Sequence, residues 1–163
     1  MEKKKKIIIG IVIILLVAIV LGIGVIKLLN REKKVITASE FVSRMQSKRY
    51  ITQDVKSQFE EYDYIKEAYV ASDRDYSYQI EFYELLDENY ATMFYTTNKA
   101  IFESYKDNNS IETDVDGKNY SKYTLKVNEQ YMLLSKIDNT VIYLKVDIKN
   151  KDNINKLIKE LGY

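Results

Sequence analysis

The chain has 163 residues, with 25 Lys and Arg against 24 Asp and Glu, and no His, Cys, Trp or Pro. That length suits one modest domain, and the missing types exclude a disulfide framework, a zinc finger, a Cys nucleophile and a His base. The near-neutral total hides a split, because residues 1–34 carry +6 and the remainder from Val35 carries −5.

Residues 1–6 form a basic tail with four lysines. Ile7 to Ile26 then runs for 20 residues without a polar side chain. As a helix it would span about 30 Å, the thickness of a bilayer's hydrocarbon core. The rest of the chain is too small to cover such a helix on all sides, so a transmembrane helix over 7–29 is predicted, with Ile7 to Leu29 contacting lipid. The apolar run is longer than a signal-peptide core, and Lys27-Leu28-Leu29-Asn30-Arg31 offers no small-residue cleavage site. An uncleaved signal-anchor follows. Gly10, Gly22 and Gly24 lack the four-residue spacing of a helix-dimer face.

Basic residues flank the span equally, so the positive-inside count is tied. The lysine cluster resists translocation, and the net acidic remainder would be repelled by an anionic cytoplasmic leaflet. Both arguments predict a single-pass protein of the cell membrane, N-terminus cytoplasmic and C-terminal domain extracytoplasmic. The richness in Lys, Tyr, Ile and Asn is what AT-rich bacterial coding produces, which places the expectation in a bacterial cell envelope.

Residues 30–36 read as a charged linker and 37–163 as one α+β domain. Thr37-Ala38-Ser39-Glu40 fits a capping box, opening a helix to about Lys48 with Phe41, Val42 and Met45 on its apolar side. A short strand is expected near Tyr50–Ile51. Strands follow at Ile65–Ser72 and Ser77–Leu86, the second alternating Tyr78, Ile80 and Phe82 with polar residues. Asp87 caps a long helix over roughly Glu88 to Lys106, with Ala91, Phe94, Asn98, Ile101 and Tyr105 along its stripe, broadened by Tyr95 and Phe102.

The last third reads as a four-strand meander. Asp116-Gly117 is a hairpin signal between Ile111–Val115 and Lys118–Val127. Asp138-Asn139 turns another, pairing Ile137 with Thr140, Ser135 with Ile142, Leu133 with Leu144 and Tyr131 with Val146. Keeping that face apolar favours a three-residue loop Asn128-Glu129-Gln130, pairing Val127 with Tyr131 and Leu125 with Leu133. A helix over Asp152–Leu161 closes the chain, with Ile154, Leu157, Ile158 and Leu161 inward and Gly162 at its end. The order α-β-β-α-β-β-β-β-α predicts an antiparallel sheet with helices packed on one face.

No motif identifies a family, a cofactor site or a metal site. Asp114-Val115-Asp116-Gly117 resembles the start of a calcium loop, but the twelfth position is Leu125 rather than a bidentate Glu. Glu81 and Glu84 have opposite parity on a strand, so they point to opposite faces rather than forming an acid/base pair. Asp87 and Glu88 suit a helix cap and first turn. Ser57 and Ser121 lack a nucleophile's S-x-x-K context. Most of the 15 tyrosines fall where packing explains them better than stacking on carbohydrate.

The candidate binding residues are Lys118, Tyr120, Lys122 and Lys126, alternating along one strand, with Lys136 and Lys145 expected on the same side through the three-residue loop. A solvated lysine edge that discourages strand pairing would look the same. The net acidic domain argues against nucleic acid. The functional expectation is a non-catalytic anchored domain binding a partner protein or a cell-envelope component. The alternatives are a wall-acting enzyme or enzyme subunit using carboxylates, and a cytoplasm-facing regulatory module if the orientation is inverted.

Overall fold

The computed structural model describes residues 31–163. The predicted span at Ile7–Leu29 lies outside them, and among the described residues no helix is long and apolar enough to cross a membrane. The compact unit begins at Lys33 rather than at Thr37. Ile36 is buried and Val35 packs on the core beside it, so residues 33–36 of the stretch expected as a linker belong to the fold.

The capping box forms as predicted. Thr37 Oγ1 accepts from the Glu40 N–H at 3.2 Å, and Glu40 Oε2 accepts from the Thr37 N–H at 3.1 Å. Helix α1 spans Ala38–Ser47 and buries Ala38, Phe41 and Met45. Strand β1 is Ile51–Asp54, and a 3₁₀ turn at Lys56–Phe59 leads towards β2, Ile65–Ser72. Asp73 turns the chain into β3, Gln79–Leu85, its side chain accepting from the Ser77 N–H at 2.7 Å. Asp87 caps α2, Glu88–Glu103, through the Asn89 and Tyr90 N–H groups. The meander is β4 Ile111–Asp116, β5 Tyr120–Val127, β6 Gln130–Ile137 and β7 Thr140–Asp147. Helix α3, Lys151–Leu161, buries the four predicted apolar residues and ends at Gly162 with φ 103°. Full burial of each such aliphatic side chain contributes about 1.5–3 kcal/mol, so the stripe holds the helix to the sheet.

Among the described residues seven strands join one antiparallel sheet in the order β1-β2-β3-β7-β6-β5-β4. Its helices lie on both faces, not one. Phe41, Met45, Ile154 and Leu157 pack with Phe82, Leu133, Ile142 and Leu144, while Ala91, Tyr95 and Phe102 of α2 pack with Tyr83, Leu134 and Val141. The reason is visible in β3, β6 and β7, which carry apolar residues at both parities and so need two covers. Helix α2 is also rotated from its expected stripe: Tyr95 and Phe102 are buried, whereas Ile101 is 44% exposed and Tyr105 46%.

Two covered faces also overturn the β5–β6 loop. The last hairpin pairs as predicted, Ile137 with Thr140 through Tyr131 with Val146. The turn before it has two residues, so Val127 pairs with Gln130, Lys126 with Tyr131 and Leu125 with Met132. Requiring apolar residues of β5 to sit over Leu133 presumed a single buried face. Leu125 and Val127 instead bury against α2, leaving the even-numbered residues of β5 over the α1/α3 face. The β4–β5 turn occupies Gly117–Asn119, beyond the expected Asp116-Gly117 pair. A Cβ on Gly117 would stand 2.0 Å from the Tyr120 ring, so the glycine is needed for that ring to fold over the turn.

Candidate functional site: a lysine cleft on the α1/α3 face

Alternation along the β4–β5 hairpin sorts charge between the two faces. In β4, Glu112 and Asp114 point to the α2 side, where Glu112 pairs with Lys106 and Asp114 with Lys99. In β5, Lys122 and Lys126 point the other way, beside Val115 and Ile111 of β4. There residues of β4, β5, β6 and the start of α3 line a cleft of about 330 Å³. Lys122, Lys126, Lys151, Thr113, Thr124 and Asn155 supply its polar lining. Among the described residues that lining holds no acidic side chain.

The back wall is fixed. Tyr131 of β6 donates its hydroxyl to Asn155 Oδ1 at 2.7 Å, and Lys151 Nζ stands 6.0 Å from the same ring's centroid. Asp152 lies close enough to Tyr131 to oppose its ionisation, behind the larger effect of burial. Lys122 is half-buried. Burial first, and then the charge of Lys33, pulls its ammonium down to about 8. Lys33 is itself lowered by burial and sits 4.3 Å over the Tyr120 ring. Its backbone is clamped by Asn119, which accepts from the Lys33 N–H and donates to the Lys33 carbonyl, both at 2.9 Å. A third Asn119 bond, 3.0 Å to Asp138 Oδ1, ties this clamp to the β6–β7 turn.

The candidate residues are therefore divided. Lys122 and Lys126 line the cleft, and Tyr120, 8% exposed, packs at its edge under Lys33 rather than offering a free ring. Lys118 is exposed in the β4–β5 turn. Lys136 and Lys145 are on the opposite face, because the two-residue loop inverts the parity on which their grouping rested. Lys136 is buried and pairs with Glu88 at 2.9 Å, while Lys145 Nζ lies 4.5 Å over the Tyr105 ring. Lys33, Lys151, Tyr131 and Asn155 were missed. Tyr131 has the one legible signal, a phenol at a core position that must find a partner for its hydroxyl.

Glu81 and Glu84 do lie on opposite faces. Burial pushes Glu84 up, but Lys66 at 2.7 Å and the Ala38 N–H at 3.0 Å outweigh it and hold the carboxyl below its usual value. That acid serves the start of α1. Chemically, the cleft suits an anion: ammonium groups at a partly desolvated site strengthen contacts to carboxylate or phosphate oxygens.

No family model matches the chain, and no curated protein matches it. A crystal structure of a GTP binding regulator from Thermotoga maritima is similar at 11% identity, over 82% of this chain and 92% of that one, with a TM-score of 0.48. A likeness that distant carries no argument about chemistry.

Proposed function

We propose that this is a membrane-anchored, non-catalytic binding domain on the outer side of the cell membrane, and that its lysine cleft receives an anionic group of an envelope component or partner protein. The anchor and orientation rest on the apolar run Ile7–Ile26 and the lysine tail before it. The site rests on one observation: Lys122, Lys126 and Lys151 converge on a cleft whose described lining has no acid. An unpaired, half-buried cation is costly to a fold, and an anionic ligand would offset that cost. The reading as a wall-acting enzyme has less behind it, since Glu81 and Glu84 serve opposite faces and cannot flank one glycosidic bond.

The test uses the full-length protein in nanodiscs, titrated calorimetrically with inorganic phosphate and with a polyanionic wall polymer. Saturable binding is expected below pH 8, weakening as pH rises through about 8 while Lys122 loses its proton. Lys122→Met is expected to lose about tenfold or more in affinity, as removal of one charge-assisted contact implies. Lys145→Met, on the other face, leaves it unchanged. Equal losses in both variants would mean diffuse charge attraction and no site. Protease treatment of intact cells checks orientation, with the domain expected to be cleaved from outside.

A further inference from the structure

The α2 face has a cavity of its own. Between the 3₁₀ turn, the start of β2, β3 and α2 lies a pocket of about 430 Å³, walled by Phe59, Tyr62, Tyr64, Tyr83, Phe94 and Met93. The rings are inclined to one another rather than laid flat. Phe59 meets Tyr83 edge-on at 5.5 Å and 85°, and Tyr83 meets Phe94 at 4.6 Å and 44°. Tyr62 meets Tyr64 at 5.7 Å and 65°, and Tyr64 is braced from behind by Tyr90, stacked at 5.4 Å. The mouth is open: Tyr62 is 45% exposed and Met93 44%.

Three features give this pocket a sign. Among the described residues its lining holds no charged side chain. The segment that frames it carries Glu60, Glu61 and Asp63, all exposed. Behind it, the Tyr83 hydroxyl donates to Glu81, a carboxyl that burial pushes up and whose other hydrogen bond comes from Gln79 rather than from a base. Burial and the Glu81 carboxyl both hold the proton on the Tyr83 hydroxyl, and a phenol that donates to a carboxyl oxygen presents a more electron-rich ring. Lys56 is the basic group on this segment, held 3.4 Å from the Phe59 carbonyl on the backbone side.

We propose that this pocket binds an alkylated ammonium group, of the trimethylammonium type, enclosed by its aromatic rings. Ring faces attract such a cation through their quadrupoles, and the cation asks for no hydrogen bonds. A sugar asks for many, and two of the polar groups here are already engaged: Asn98 Nδ2 donates to the Phe94 carbonyl at 2.8 Å, and the Tyr83 hydroxyl donates to Glu81. Rings set at steep angles surround a compact, near-spherical group better than they support a flat pyranose face.

The test titrates full-length protein in nanodiscs free of choline lipids with choline chloride, reading heat and tyrosine fluorescence. Saturable binding is expected, with the neutral isostere 3,3-dimethyl-1-butanol weaker by about tenfold or more, the worth of a desolvated cation–π contact. Tyr64→Leu and Phe94→Leu retain apolar volume and should each lose about as much, with circular dichroism confirming the fold. Lys122→Met should have no effect, so this outcome is independent of the lysine cleft. Repeating the titration in nanodiscs rich in choline lipids separates the two sources of the group: a lost response means the lipid headgroup occupies the pocket, and a retained one means the free solute does. Equal affinity for the neutral isostere, or no saturable binding by choline, would overturn the proposal.

Discussion

The two faces of the sheet carry the same kinds of residue and use them differently. On the α2 side, cations meet acids: Lys136 has Glu88, Lys99 has Asp114 and Lys106 has Glu112. On the α1/α3 side, beside the β4–β5 edge, Lys122 and Lys126 meet a cleft lined by Lys151 and neutral groups. Lys122 and Lys136 sit directly beside each other's neighbours on adjacent strands, since Lys122 pairs with Ser135 and Lys136 with Ser121. One step in register thus separates a structural ammonium from an available one. Availability for a ligand is a property of what faces the residue, not of its type.

The comparison can be broken first at its foundations. Phe82 is fully buried on the α1/α3 side, stacked on Phe41 at 4.7 Å and met edge-on by Tyr163 at 6.5 Å. It joins α1, the sheet and the C-terminus. Phe82→Ala should cost about 3–5 kcal/mol in denaturant unfolding, as for other buried rings. A loss below about 1 kcal/mol would mean that this face is not the packed core described.

A sharper test sets the two lysines against each other. The folded state pulls Lys122 down to about 8 from an ordinary 10.5, so the unfolded chain binds more protons between those values and stability rises with pH across that window. Below pH 8 the destabilisation is fully present. Lys122→Met should therefore stabilise the protein at pH 7 by about 1–3 kcal/mol, and its advantage should fade between pH 8 and 10.5. Lys136→Met gives up a partner rather than an isolated charge, and Glu88 is largely exposed, so no gain at pH 7 is expected. Identical pH profiles for the two variants would erase the distinction.

The smallest effect concerns how the chain enters the fold. Asn119→Ala removes the side-chain bonds to both backbone groups of Lys33 and to Asp138. A cost of about 1–2 kcal/mol is expected, with faster hydrogen exchange at the Lys33 amide and none of that change at amides under α2. Because Lys33 lowers Lys122, the variant should also let the Lys122 value rise, readable by NMR titration.

Much of the architecture was legible because it is local. The Thr37–Glu40 box, the Asp87 cap, the Asp138-Asn139 turn and the Ile154–Leu161 stripe each depend on residues a few positions apart. Two of the misreadings share one cause: helices on one face and a three-residue loop at Asn128 both followed from giving the sheet a single apolar core face, and that loop in turn grouped Lys136 and Lys145 with the lysines of β5. Ile101 entered the stripe of α2 through helical spacing alone. The site was half legible, Lys122 and Lys126 being named from their alternation, whereas Lys33, Lys151 and Asn155 reach it only through packing across long stretches of chain.

The amino-acid order by itself determined the elements, the helix caps, the Asp138-Asn139 turn and most of the strand pairing, because hydrogen-bond geometry and side-chain periodicity act over short separations. Which face each strand residue occupies was decided by the tertiary structure. A strand's two sides are equivalent until something covers them, and the burial of Leu125, Val127, Met132 and Leu134 beneath α2 outweighed the tidier register that a single core would have imposed.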